Sequence, residues 1–336
     1  MSFIEIIYFI IPAAILYAAP LIFAGLGTVF SERAGVVNIG VEGIMIIGAF
    51  SAVVFNLFTV DTFGKSTPWV ALLFAMAIGI VFSLFLAIPA ISFRADQTVT
   101  GVALNLLGLA VALFLTKIFF DGRAQTDYIT ERFIPKDFVL DINWDLKIFT
   151  IDLYFNFADI PVIGPLLFES VHRTSLIALI LAFVVWFVLY KTPFGLRLRA
   201  VGEHPMAADT MGINVTRMRY IAVMLSGALA GLGGAVYAQT ITNQFAGSTI
   251  NGQGFIAIAA MIFGKWHPLG TMAAALFFGL AQALSIVGSS IPVIKDIPSV
   301  YLFILPYVLT ILALVGFIGK AVAPKASGQP YIKGKR

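Results

Sequence analysis

Apolar residues in this chain come in long unbroken runs, with neither the strict alternation of half-buried strands nor the one-sided stripe of surface helices. Nine runs stand out, at 6–30, 39–59, 68–92, 99–119, 173–190, 218–238, 254–264, 268–289 and 299–318. Eight of them approach or exceed the ~20 residues that a helix needs to cross a bilayer core. Their continuity predicts spanning helices and excludes barrel strands. The run 254–264 has only eleven residues. It either joins the polar stretch before it to complete a crossing or turns back as a re-entrant segment. Segment 148–168 is apolar but interrupted by acids and prolines. It fits an amphipathic helix lying at the interface, and the alternation at 148–156 fits a hairpin strand equally well.

Loop charges orient the runs. The loop 191–217 carries Lys191, Arg197, Arg199 and Arg217, and the tail 321–336 carries Lys325, Lys333, Lys335 and Arg336. Both are predicted to be cytoplasmic. Counting back places 31–38, with Arg33, and 93–98, with Arg94, on the same side. The loop 120–172 then lies outside, and its nine Asp and Glu outnumber its Lys and Arg. The tail returns to the inside only if 254–264 and its polar lead-in cross, which also puts Lys265 and His267 inside. The pattern therefore predicts nine crossings, an all-α bundle over 1–320, an outer N-terminus and a flexible basic tail. No Lys or Arg precedes Arg33, so the first run lacks a signal-peptide n-region and reads as a retained span.

Composition agrees. Hydrophobic residues make up 60% of the 336 and charged residues 11%, with a mean hydropathy of +0.98. That is too little polar surface for a soluble sphere, and far too apolar for a disordered chain. A net charge of +4 carried on so few charged residues leaves no nucleic-acid footprint. The absence of Cys removes disulfides, iron–sulfur clusters and thiol catalysis.

Enzyme signals fail one by one. His172, His204 and His267 lack metal-ligand spacing. Gly64-Lys65-Ser66 resembles the end of a P-loop, but position 59 is Thr and the stretch falls in an outer loop. Gly25-Leu26-Gly27 lies inside a span with no strand before it. Neither catalytic nor metal residues are expected, and the chain has no means of hydrolysing ATP.

Four polar or small-residue stretches remain. Residues 31–43 join the first two spans and place Glu42 just inside the second, where a carboxylate needs a partner or water. It serves a cavity, gate or subunit contact, or else it is an interfacial charge paired with Arg33. Within 191–213, Pro205 suits a first helical position, Ala207 and Ala208 favour helix, and Gly212 suits a left-handed C′ position. A short small-faced helix there is suited to docking on a cytoplasmic partner, though a loop made basic by topology would look similar. Gly227 and Gly231, four apart, allow close helix packing. Gln239, Thr240, Asn243, Gln244, Asn251 and Gln253 form a polar belt at the outer end, with Asn105 and Gln97 on another span. Such neutral amides either bind a hydroxyl-rich or heterocyclic ligand or solvate a loop.

At these residues the sequence resembles a known family. "SERAGVVNIGVEGIM" (31–45), "ADQTVTGVALNLL" (95–107), "TPFGLRLRAVGEHPMAADTMGI" (192–213) and "LSGALAGLGGAVYA" (225–238) are similar to permease subunits of bacterial ABC importers. These importers serve branched-chain amino acids, ribose and other simple sugars, and nucleosides. The resemblance covers roughly 15–320 and is closest to the nucleoside and simple-sugar branch. It implies a helical bundle of the cobalamin-importer-permease type (a type II ABC importer) with eight to ten spans in the cytoplasmic membrane. It also implies a second permease subunit, often a different one, and an extracytoplasmic substrate-binding lipoprotein. A cytoplasmic ATPase would hold the ATP and Mg, leaving no cofactor on this chain. The resemblance makes 203–212 a coupling helix, with Glu203, His204, Pro205, Ala207, Ala208, Asp209 and Gly212 in it and Arg197 and Arg199 flanking. Glu42, Asn105, Gln239, Asn243 and Gln244 are the candidate polar groups of the pathway. The expected cargo is a nucleoside; the alternatives are a simple sugar, a branched-chain amino acid or an ion-coupled carrier.

Overall fold

The computed structural model describes residues 3–133, 139–146, 149–156, 171–287, 301, 304, 308 and 322–333. Helix α1 (Phe3–Arg33) leads through a short loop into α2 (Val41–Phe63). A single tight turn at Gly64–Ser66 reverses the chain into α3 (Thr67–Ala87), and α4 (Gln97–Phe119) returns. A two-stranded antiparallel hairpin follows, β1 (Val139–Leu146) and β2 (Phe149–Asn156), registered from Val139↔Asn156 to Leu146↔Phe149. Next come α5 (Arg173–Lys191), two short helices α6 (Pro193–Glu203) and α7 (Pro205–Thr210), then α8 (Val215–Tyr237), α9 (Gln253–Phe263) and α10 (Pro268–Val287).

Contacts between helix ends fix the direction of each crossing. Arg33, closing α1, reaches the carbonyls of Lys265 and Trp266 and the Tyr190 hydroxyl near the end of α5. The hydroxyls of Ser92, after α3, and Tyr220, early in α8, lie 2.6 Å apart. These residues mark a basic end. At the opposite, hairpin end, Asn56 late in α2 donates to the Glu131 carbonyl, and Phe58 packs on Phe119 and Phe120 as α4 finishes. Thus α1, α2, α3, α4, α5, α8, α9 and α10 alternate in direction, as the charge pattern predicts.

The predicted runs map onto helices nearly residue for residue. The strand at 149–156 decides in favour of the hairpin there, so the helical bundle carries a small β element at one end. Residues 157–168 of the apolar segment lie outside the described residues. So does most of 299–318, of which Tyr301, Ile304 and Val308 are helical and exposed. The expected flexible tail is different. Residues 322–333 are folded back onto the basic end, where the Ala326 N–H donates to the Gly202 carbonyl (2.9 Å).

Helix α8 is the centre of the bundle. Every residue from Ser226 to Thr240 is buried, and α1, α2 and α3 all pack on it. Apolar side chains gain nothing by leaving lipid for a protein interior, so helices in a bilayer associate through close packing. Glycine permits that packing here. A Cβ at Gly48 of α2 would collide with the Gly231 carbonyl, and one at Gly79 of α3 with that of Gly227. The outer helices α4 and α5 instead present Val99, Leu106, Phe114, Ile180 and Phe187 to the surroundings, as lipid-facing helices do.

Gly231→Leu or Gly48→Leu is expected to abolish the monodisperse protein in detergent, because either forces backbones apart. Gly231→Ala, which clashes with the Ala75 carbonyl, is expected to cost about 1–3 kcal/mol, read as a lowered thermal midpoint. Gly247→Ala, which meets only the mobile end of Leu113, is expected to stay near wild type.

Candidate functional site

Helix α9 has eleven residues. At 1.5 Å per residue it is about 16 Å long, half of a ~30 Å hydrocarbon core. The other half of the crossing is made by non-helical chain. After α8 the backbone forms one widened turn at Ala238–Thr242 and bends at Asn243 in a left-handed conformation (φ 55°). Asn243 and Phe245 are fixed to the loop after α4: their carbonyls accept from the N–H groups of Ile129 and Thr126. The chain then descends to Gly252 (φ 97°), where α9 begins. The short run 254–264 therefore crosses with its lead-in, and Lys265 and His267 reach the basic end with Arg33.

The end of α1 and the start of α2 hold α9 at its two ends. One Glu42 carboxylate oxygen accepts from the Gly252 N–H and the other from the Gly254 N–H (2.6 Å). This supplies acceptors for the unpaired donors of a helix start and puts negative charge at its positive pole. At the far end Arg33 Nε donates to the Trp266 carbonyl (2.9 Å), and Glu32 Oε2 accepts from Trp266 Nε1 (3.1 Å). The cation thus faces the negative pole. Lys265 and Trp266 are both left-handed at φ 55°, strained for non-glycine residues, and these bonds hold them. Arg33 also lies beside His267, whose imidazole burial, and then the Arg33 charge, hold below its ordinary value. The expected alternative of a Glu42–Arg33 pair is not what forms: the two residues sit at opposite ends of α9.

Other polar residues complete this region. Asn105 accepts from the Gly43 N–H (2.8 Å) and donates to the Ile39 carbonyl (3.0 Å), so its amide is spent on the start of α2. Gln97 does the same for the Val37 N–H, and Asn38 donates to Ser226 of α8. Gln253 Nε2 donates to the Tyr237 hydroxyl (3.1 Å) beside the α9 start. Gln239 is fully buried, and neither polar atom of its amide has a partner among the described residues. Asn243 and Gln244 are half-buried near the hairpin end, and Gln244 Oε1 is likewise unpartnered.

The predicted coupling segment splits in two. Thr192 caps α6 and Pro193 starts it, while Leu198 and Val201 pack inward. Glu203 ends α6 rather than opening the next helix, and His204 breaks the chain before α7. Gly212 takes the expected left-handed conformation (φ 80°). Ala207 and His204 face outward, whereas Ala208 is 4% exposed and packs into the core, so the two alanines do not share one outward face. Asp209 is half-buried. Arg197 is exposed, whereas Arg199 turns inward, donating to the Leu189 carbonyl (3.0 Å) and stacking 4.5 Å from the Tyr190 ring. Met211, next to Gly212, is 81% exposed. Met211, Tyr237 and Trp266 carry little sign of these positions in the sequence, apart from the short polar break Lys265-Trp266-His267 around the last.

Comparison with known proteins gives the family. The model of the branched-chain amino acid transport system permease component matches residues 10–314. The guanosine ABC transporter permease protein NupQ of Bacillus subtilis is 59% identical over 100% of both chains. The nucleoside ABC transporter permease protein NupC of Lactococcus lactis is 48% identical over 100% of both. A second guanosine permease of Bacillus subtilis, NupP, is 26% identical over 83% of this chain and 74% of its own. The broken helix, the packed bundle and the exposed basic end are thus features of a multi-pass membrane protein that belongs to the branched-chain amino acid transport system permease-component family.

Proposed function

We propose that this chain is a permease subunit of an ATP-driven nucleoside importer, forming part of the translocation path and coupling to a separate ATPase through α6–α7. The observation that carries the cargo is full-length similarity, at 59% and 48% identity, to a guanosine and a nucleoside permease. The cytoplasmic side is the basic end, by the bias of Arg and Lys toward it. ATP and Mg then belong to the partner ATPase, and a binding lipoprotein delivers cargo at the hairpin end. The partner permease is a different chain: Bacillus subtilis has both NupQ, close to this sequence, and the distant NupP.

The path runs past the start of α9. Discontinuous helices in transporters end where substrate passes, because irregular backbone is tolerated at membrane depth only against protein or a wet cavity. Tyr237 and Gln253, bonded to each other beside the α9 start, and the unpartnered buried amide of Gln239 just after α8 offer neutral donors and acceptors suited to a nucleoside base and ribose. Glu42 holds α9 in register with α2, so α9 moves as one body with the loop 34–40 rather than alone.

Deleting the gene is expected to remove uptake of labelled purine or pyrimidine nucleosides, without competition by ribose; unchanged uptake, with no second system present, would overturn the cargo. Glu42→Ala leaves two buried N–H groups unpaired at about 1–3 kcal/mol each. It is expected to lower uptake at least about tenfold with the chain still in the membrane, Glu42→Gln falling between. On the basic end, Ala207→Arg and Met211→Asp are expected to reduce co-purification of the ATPase. Ala208→Arg is instead expected to lower the amount of folded permease.

A further inference from the structure

The folded tail stands on buried groups. Ser327 donates to Glu32 Oε2 (3.1 Å), and Arg219 Nη1 donates to the Gln329 carbonyl (2.9 Å). Glu32 is 7% exposed and Arg219 1%. Neither Nε nor Nη2 of Arg219 has a partner among the described residues, so the tail carbonyl is the bond that this guanidinium makes. With the Ala326–Gly202 bond, the segment is tied to α1, α6 and α8 at once. Within it Tyr331 lies beside Asp209, and burial first, then this carboxylate, push the Tyr331 phenol above its ordinary range.

Between this segment and the α7–α8 turn lies an open cleft of about 530 Å³, lined by Asp209, Asn214, Thr216, Arg217, Tyr331 and Lys333 among others. Arg217 is exposed at its mouth, and Met211 projects from the same turn. Two cations face one half-buried acid, so the cleft favours an anionic guest. The apolar Met211 beside it is the kind of anchor that interface centres use.

We propose that residues 329–333 and the α7–α8 turn together form the ATPase seat, and that the cleft receives an acidic side chain of the ATPase subunit. This rests on the reading of α6–α7 as the coupling segment. The tail is then half of the docking surface, and the short helix is the other half. Continuity with that segment favours the ATPase over an anionic lipid headgroup.

The test uses the full permease pair with its ATPase, purified in detergent and in vesicles of phosphatidylcholine with or without phosphatidylglycerol. Arg217→Glu with Lys333→Glu reverses two surface charges without touching the buried anchors. The expected result is a loss of co-purified ATPase of about tenfold or more, since close interfacial charge pairs are worth ~1.5 kcal/mol or above. The elution profile of the permease should stay unchanged. Loss of ATPase in Ala207→Arg but not in the double variant overturns the composite seat and leaves α7 docking intact. Loss in neither overturns the coupling reading itself. Weakened association with phosphatidylglycerol vesicles at unchanged ATPase content assigns the cleft to lipid and overturns the proposal.

Discussion

The bundle depends on how closely backbones approach α8. With no solvent to expel, three helices can be held against a fourth only by contact at short range, and only glycine leaves room for it. Gly227 meets α3, and Gly231 meets both α2 and α3. Gly234 continues this face against Met45 of α2, and Gly233 opens another against Pro20 of α1. With α8 enclosed on every side, the remaining helices arrange around it. The outer ones, α4 and α5, are left to face lipid with large side chains.

The half-helix is the exception that this packing makes possible. A chain that leaves α8 at the hairpin end has to return through a crowded interior, and along the descent its own bonds are local ones, such as those between Ala246 and Thr249. The rest come from elsewhere: the loop after α4 takes Asn243 and Phe245, and Glu42 takes Gly252 and Gly254. The stretch 31–45, one of those that resemble the permease family, supplies both poles of α9 with opposite charge. Its sequence similarity therefore reflects a structural task as much as a transport one.

The spans were legible because lipid demands continuous apolarity, and that is a one-dimensional property. The alternation of ends followed from Arg and Lys counts for the same reason. Even the turn chemistry of Pro205 and Gly212 is local and was readable. What sequence could not supply was which polar group meets which. Sequence proximity pairs Glu42 with Arg33, whereas its partners Gly252 and Gly254 lie 210 and 212 residues away. Ala207 and Ala208 are chemically identical, and only the packing of α7 against α8 separates the exposed one from the buried one. Asn105 and Gln239 looked alike as membrane amides; one is consumed by backbone and the other is not. The polar composition of the tail predicts a loose end, because composition carries no information about a distant Arg219.

The attachment of residues 326–329 to Gly202, Glu32 and Arg219 has a consequence for how the molecule is made. Ser327 emerges from the ribosome 295 residues after Glu32, when every described span has been synthesised. Until then Glu32 and Arg219 lack the bonds that the tail brings, and the basic face stays incomplete. Closure of the basic end is thus a late step: the helices made before residue 326 can pack on one another, but the bonds to Glu32, Gly202 and Arg219 wait for this segment.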